Sequence, residues 1–108
     1  MKSIKKIIEA CLECSIACEK CAADCLDMGL SSCVHICRDC ADVCDLTARM
    51  GARDSYFFKA MTKLCEQLCE RCISECSMHD HECCRRCIDA CTACINACST
   101  AMVHEVRH

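Results

Sequence analysis

Cys65-Glu-Gln-Leu-Cys69-Glu-Arg-Cys72-Ile-Ser-Glu-Cys76 decides the fold. Its cysteines step by four, three and four residues. That alternation is the a/d seam of a helical heptad, with thiols where a bundle usually carries Leu or Ile. The same rhythm recurs in Cys33, Cys37, Cys40 and Cys44. It recurs in longer form in Cys11, Cys14, Cys18, Cys21 and Cys25, and again in Cys84, Cys87, Cys91, Cys94 and Cys98. Of the 19 cysteines in 108 residues, Cys83 alone lies off the seam, directly before Cys84.

The rest of the composition agrees with helix. There is no proline, there are two glycines, and the aromatics are Tyr56, Phe57 and Phe58. A sheet protein would want more β-branched and aromatic residues and more turn chemistry. The spacing therefore predicts an all-α chain folded as an antiparallel up-down-up-down four-helix bundle with a Cys-lined core. A chain of this length is expected to be one domain, residues 1–108. The first helix is expected over about Ser3–Met28, ended by Gly29 in a left-handed cap. The second runs over about Ser32–Met50, with Ser31 or Ser32 as cap and Gly51 as stop. Asp54 is the expected N-cap of a third helix reaching about Ser77, and Asp80 that of a fourth reaching about Val103 or beyond. Short loops make sequential helices antiparallel neighbours, so the four cysteine runs fall at similar heights. The run Cys11–Cys25 rises about 21 Å at about 1.5 Å per residue, and the thiols should line a tube of about that length.

The two ends of the tube read differently. Ile4, Ile7 and Phe58 continue the seam at one end, with Met50, Met61 and Met102 near it, as an apolar plug. The other end gathers Met28, His35, Met78, His79 and His81 beside Cys25, Cys33, Cys76, Cys83 and Cys84. Thioether, imidazole and thiol all suit a soft or borderline metal, which makes this end the expected mouth. Further apolar rows, Ile36–Val43–Met50, Met61–Leu68 and Ile88–Ile95–Met102, either seal the walls or face a partner subunit.

Dense cysteine usually means a small secreted disulfide scaffold. Here the count is odd, loop-forming Gly and Pro are scarce, and the spacing is helical. Thiols at i and i+4 have Cβ atoms about 5–6 Å apart, whereas a disulfide wants about 3.5–4.5 Å. The basic stretch Met1–Lys6 is followed by Glu9 and Glu13 rather than by an apolar signal core, and no twin arginine stands near it. No segment is apolar enough to span a bilayer. The expected compartment is the cytoplasm. A formal charge of −3 without long runs points to neither nucleic acid nor membrane as partner.

A seam of cysteines packs poorly as hydrocarbon, because each side chain is far smaller than Leu. Thiols buried in apolar surroundings are expected to have raised pKa values and to be poor nucleophiles, and no catalytic constellation stands out, so an enzyme is not expected. Metal ions replace the thiol protons and supply the missing bonds. Thiolates select Cu(I), Zn(II) and iron–sulfur clusters. A continuous thiol tube suits many Cu(I) ions, since one Cu(I) per thiolate leaves the interior near neutral and a buried net charge is costly. The expected ligands are Cys11, Cys14, Cys18, Cys21, Cys25, Cys33, Cys37, Cys40, Cys44, Cys65, Cys69, Cys72, Cys76, Cys83, Cys84, Cys87, Cys91, Cys94 and Cys98, with Met28, His79 and His81 at the mouth. The alternatives are a zinc or iron–sulfur protein and a thiol redox reservoir.

The runs CLECSIACEKCAADC, CVHICRDCADVC, CEQLCERCISEC and CRRCIDACTACINAC resemble the cysteine-rich four-helix-bundle copper storage proteins of bacteria. The likeness covers essentially the whole chain and is to their cytosolic branch, since the exported branch carries a twin-arginine signal. It implies storage of many Cu(I) ions inside the bundle, a metal entrance at one end and assembly as a homotetramer.

Overall fold

The computed structural model describes residues 2–104, with side chains over residues 4–99. Four helices follow one another: α1 Lys2–Asp27, α2 Ser31–Ala52, α3 Phe58–Cys76 and α4 Glu82–His104. Each packs on its sequence neighbours, and α4 closes the ring on α1, so the four stand at the corners of a square. The up-down-up-down bundle measures 42 × 19 × 17 Å. The closest pair is α1 with α2. These two helices carry the buried small residues Ser15, Ala22, Ala41 and Ala48, which let their backbones approach.

The turns explain where the helices stop. At the end of α1, Gly29 has φ 74°. The Leu30 N–H bonds to the Cys25 carbonyl at 2.9 Å and the Gly29 N–H to that of Leu26 at 3.1 Å. This is the paired bonding of a Schellman motif, with glycine in its left-handed position as expected. The same motif ends α2, but Gly51 is not its stop signal. Asp54 takes the left-handed conformation, φ 52°. The Ser55 N–H reaches the Met50 carbonyl at 2.9 Å and the Asp54 N–H that of Gly51 at 3.2 Å. Asp54 therefore closes α2 rather than capping α3, whose N-cap is Phe57. Gly51 lies inside the last turn of α2 for a different reason. A Cβ there would come within 2.8 Å of the Phe58 ring and 3.2 Å of Ile8.

Two other caps also shift. The turn after α1 is so short that Leu30 both completes that motif and starts α2, with no side-chain cap. Ser31 and Ser32 fall inside or at the edge of the helix instead. At α4 the His81 carbonyl accepts the Arg85 N–H at 3.1 Å. The Asp80 carboxylate instead takes the Arg85 guanidinium at 2.6 Å.

The core is a column of sulfur. All eighteen seam cysteines are fully buried. Ile36, Val43, Met50, Leu68, Ile88 and Ile95 are partly buried against them, so those apolar rows seal the walls between helices. Met102 lies outside the described side chains. At the closed end the column is floored by Ile7, Phe58, Thr47 and Thr62. The methionines expected there, Met50 and Met61, are only half-buried. The spacings 44–47–51 and 65–62–58 continue the seam through Thr47, Gly51, Thr62 and Phe58. The Thr47 hydroxyl donates to the Val43 carbonyl and the Thr62 hydroxyl to that of Lys59, each at 2.7 Å, which removes the cost of burying them.

Candidate metal centre

Because the helices alternate in direction, cysteines far apart in sequence share a level. Nearest the floor, Cys11 and Cys94 sulfurs lie 3.7 Å apart, Cys94 and Cys65 3.7 Å, and Cys65 and Cys44 3.6 Å. One turn up, Cys14 contacts Cys91 at 3.6 Å and Cys69 at 3.9 Å, and Cys69 contacts Cys40 at 3.8 Å. Above them Cys18, Cys87, Cys72 and Cys37 follow at 3.6, 3.5 and 3.7 Å. Towards the mouth Cys21 meets Cys84 at 3.9 Å and Cys25 at 3.8 Å, and Cys33 meets Cys76 at 3.9 Å. Rungs along single helices complete the lattice: Cys14–Cys18 and Cys33–Cys37 at 3.9 Å and Cys40–Cys44 at 4.0 Å.

These separations are non-bonded and suit coordination of a shared ion. A disulfide needs about 2.05 Å between sulfurs, and all nineteen thiols are free. Three sulfurs in a plane around an ion at about 2.3 Å would stand about 4.0 Å apart, and four in a tetrahedron slightly closer. Sets of four sulfurs already lie within 4.8 Å of one another: Cys11/Cys65/Cys94/Cys98, Cys14/Cys44/Cys69/Cys94, Cys14/Cys40/Cys69/Cys91, Cys18/Cys40/Cys72/Cys91 and Cys21/Cys25/Cys33/Cys84. The first four sets overlap in turn through Cys94, then Cys14 with Cys69, then Cys40 with Cys91, while the set at the mouth shares no sulfur with them. The overlap is the property that the sequence alone could not show, because it depends on how the four runs are staggered.

Burial does not raise every thiol, contrary to the expectation from an apolar core. Cys25 and Cys84 are pushed up by desolvation, and Cys33 is raised to about 12 by the same cause. Inside the column the thiols divide. Cys14 is held well below the ordinary range by hydrogen bonds from Cys18, Cys40, Cys44 and Cys69. Cys72 is lowered by Cys18, Cys37, Cys40 and Cys76. Their donors Cys18 and Cys37 are correspondingly raised. Cys21 is lowered to about 6 by bonds from Cys37 and Cys76. A thiolate that receives several S–H bonds is stabilised even when dry. The column therefore contains acceptor sulfurs, Cys14 and Cys72 among them, that sit beside raised donors such as Cys18 and Cys37.

The mouth residues sit where the sequence placed them, at the end formed by the α1–α2 and α3–α4 turns. Cys83, 8% exposed, is the one thiol that touches solvent. Met28 and Met78 are exposed, as are His35 and His81. His79 is half-buried, its Nε2 2.9 Å from Glu75. Cys76, Met78, His79, Asp80 and Arg85 line a cleft of about 450 Å³, so a buried sulfur and an exposed thioether border the same opening.

A model of the copper storage protein family, Csp, matches residues 1–103. The chain belongs to the copper storage protein family. Among solved Csp structures, that of the cytosolic copper storage protein of Streptomyces lividans with five coppers superposes with a TM-score of 0.90 at 34% identity, over 97% of this chain and 96% of that one. The Cu(I)-bound copper storage protein BsCsp3 gives a TM-score of 0.86 at 38% identity, over 91% and 96%. The uncharacterized cysteine-rich protein YhjQ of Bacillus subtilis strain 168 is 42% identical over 79 residues, 69% of this chain and 73% of that protein. This Csp chain thus shares both the fold and the cysteine-rich character of relatives solved with copper inside.

Proposed function

We propose that this Csp protein stores many Cu(I) ions in its sulfur column, as one unit over the whole chain. The observation that carries the reading is the overlap of the four-sulfur sets. Independent zinc sites need four private thiolates each, and each would bury a net negative charge. Sulfurs shared between neighbouring sets suit a monovalent soft ion that accepts bridging thiolates. The role is storage rather than catalysis, with all nineteen cysteines as ligands.

Loading from the mouth is part of the same proposal. Met28, Met78, His35, His79 and His81 offer weak soft or borderline ligands around the only end where a thiol meets solvent. The opposite end is closed by Ile7 and Phe58. The Streptomyces relative is described as cytosolic, and a reducing cytoplasm would keep these thiols free. Among the described residues no helix is long and apolar enough to cross a membrane. Exposed Leu12, Ile16 and Leu26 on α1 support self-association, with a tetramer as the expected state by family resemblance; sedimentation of the metal-free and loaded protein tests it.

The deciding experiment is titration of the reduced protein with Cu(I) against a competing chelator. The expected result is uptake of many ions per chain without change in helix content. Saturation after a few ions, or displacement of bound Cu(I) by Zn(II), would overturn the storage reading.

A further inference from the structure

The closed end carries a feature that copper storage does not use. The start of α1, the end of α2 and the start of α3 meet there, as the packing of Gly51, Phe58 and Ile8 shows. Among the described residues they bring Lys5, Lys6, Arg49, Arg53, Lys59 and Lys63 to one end, with Glu9 and Asp54 as the carboxylates beside them. Lys59 is half-buried and the other five cations are exposed. Among the described residues none of the six is in an ion pair. The ion pairs lie elsewhere, at Lys20–Asp24 and around the mouth at His79–Glu75, Arg85–Asp80 and Arg86–Glu82.

Amid these cations, on the turn joining α2 to α3, stand Tyr56 and Phe57. They are 75% and 63% exposed, and their rings meet edge to face at 5.5 Å and 87°. The next residue, Phe58, is the aromatic that fills the floor of the core. A chain with three aromatics thus spends two of them on a water-facing tip. The bundle end is about 300 Å² in section from its 19 × 17 Å profile. A stable protein partner needs roughly 800 Å² on each side, so this end is too small for one. Single-stranded nucleic acid is bound along grooves whose aromatic side chains stack on the bases, whereas here the two rings pack edge to face on each other. A bilayer surface needs no shape complementarity. Each Lys or Arg near an anionic leaflet adds attraction, and aromatic rings settle at the level of the headgroups.

We propose that the closed end is a docking surface for an anionic lipid bilayer, with Tyr56 and Phe57 entering the headgroup layer and the six cations facing lipid phosphates. The 42 Å length of the bundle then holds the mouth away from the bilayer, open to the aqueous phase. The sequence shows no charge run because the cations come from separate stretches that only the fold brings together.

The test mixes the full-length reduced protein with vesicles of phosphatidylglycerol and phosphatidylcholine, or of phosphatidylcholine alone. Tyr56 is the single tyrosine and there is no tryptophan, so its emission reports insertion directly. The expected result is co-sedimentation with the anionic vesicles only, with a Tyr56 spectral change quenched by headgroup-level quenchers. Raising the salt should weaken binding at least tenfold. Phe57→Ser should weaken it several-fold and remove most of the quenching, and Arg49→Gln with Arg53→Gln should weaken it about tenfold. Cu(I) capacity and circular dichroism of the variants should match the parent, which separates lost docking from lost folding; Lys5→Gln with Lys6→Gln serves if the α2 pair unfolds. Equal binding to neutral vesicles, no binding to either kind, or preference for a DNA fragment of equal phosphate content would overturn the proposal.

Discussion

Gly51 packs directly against the ring of Phe58: a methyl group added at position 51 would meet Cε1 at 2.8 Å and Cζ at 3.1 Å, with Ile8 at 3.2 Å. The ring is buried on the floor of the sulfur column and has little room to retreat. Gly51→Ala should therefore destabilise the metal-free protein by about 1–3 kcal/mol, the usual cost of overfilling a packed site. Urea unfolding measures it. Adding Phe58→Leu should restore part of the loss; no recovery in the double variant would mean that the cost is not steric.

Gly29 is a separate case, because nothing lies within 4 Å of a Cβ there and only its positive φ matters. Gly29→Ala should cost about 1 kcal/mol from the left-handed backbone alone, and Gly29→Asn less, since asparagine tolerates that conformation. Equal stabilities of the Ala and Asn variants would contradict the backbone explanation.

Cys14 belongs to two of the overlapping sulfur sets and contacts Cys18, Cys69 and Cys91. Cys83 touches solvent at the rim. Cys14→Ser should lower Cu(I) capacity more than Cys83→Ser, which should chiefly slow loading. Stopped-flow uptake and end-point titration of both variants separate rate from capacity. The idea fails if the two variants lose the same number of ions.

The pH dependence can be worked out at Cys33, whose thiol is raised to about 12 by desolvation. The folded state keeps this proton when the unfolded chain, titrating near 8.5, gives it up. Its contribution to stability is present below that pH and is lost as pH rises towards 12. Metal-free protein should show a falling urea midpoint across this window, with a shallower fall in Cys33→Ala. At the acid side protons compete with metal for every sulfur, so Cu(I) affinity should decline as pH falls.

The helices and their sulfur faces were legible because period and chemistry coincide: a thiol every three or four residues both marks a helix and names its function. The antiparallel order followed from the short loops. The caps were less legible. Asp54 reads equally as an N-cap or as a left-handed stop, and the bonds from Asp54 and Ser55 back to Gly51 and Met50 decide for the stop. Gly51 looked like punctuation because its real reason, the Phe58 ring, lies across a turn. Thr47 and Thr62 fit the seam spacing, but their hydroxyls hide the fact, because polar side chains are seldom expected at a core floor. The lowered thiols Cys14 and Cys72 depend on which neighbours donate to them, which no single helix determines.

The sulfur sets also bear on movement. An ion seated among Cys14, Cys44, Cys69 and Cys94 can pass to Cys14, Cys40, Cys69 and Cys91 without releasing Cys14 or Cys69. From there it can reach Cys18, Cys40, Cys72 and Cys91 while still held by Cys40 and Cys91. No such step requires a bare cation or entry of water. These three inner sets thus offer a path as well as a resting place, along which an ion is handed from level to level while two sulfurs always hold it.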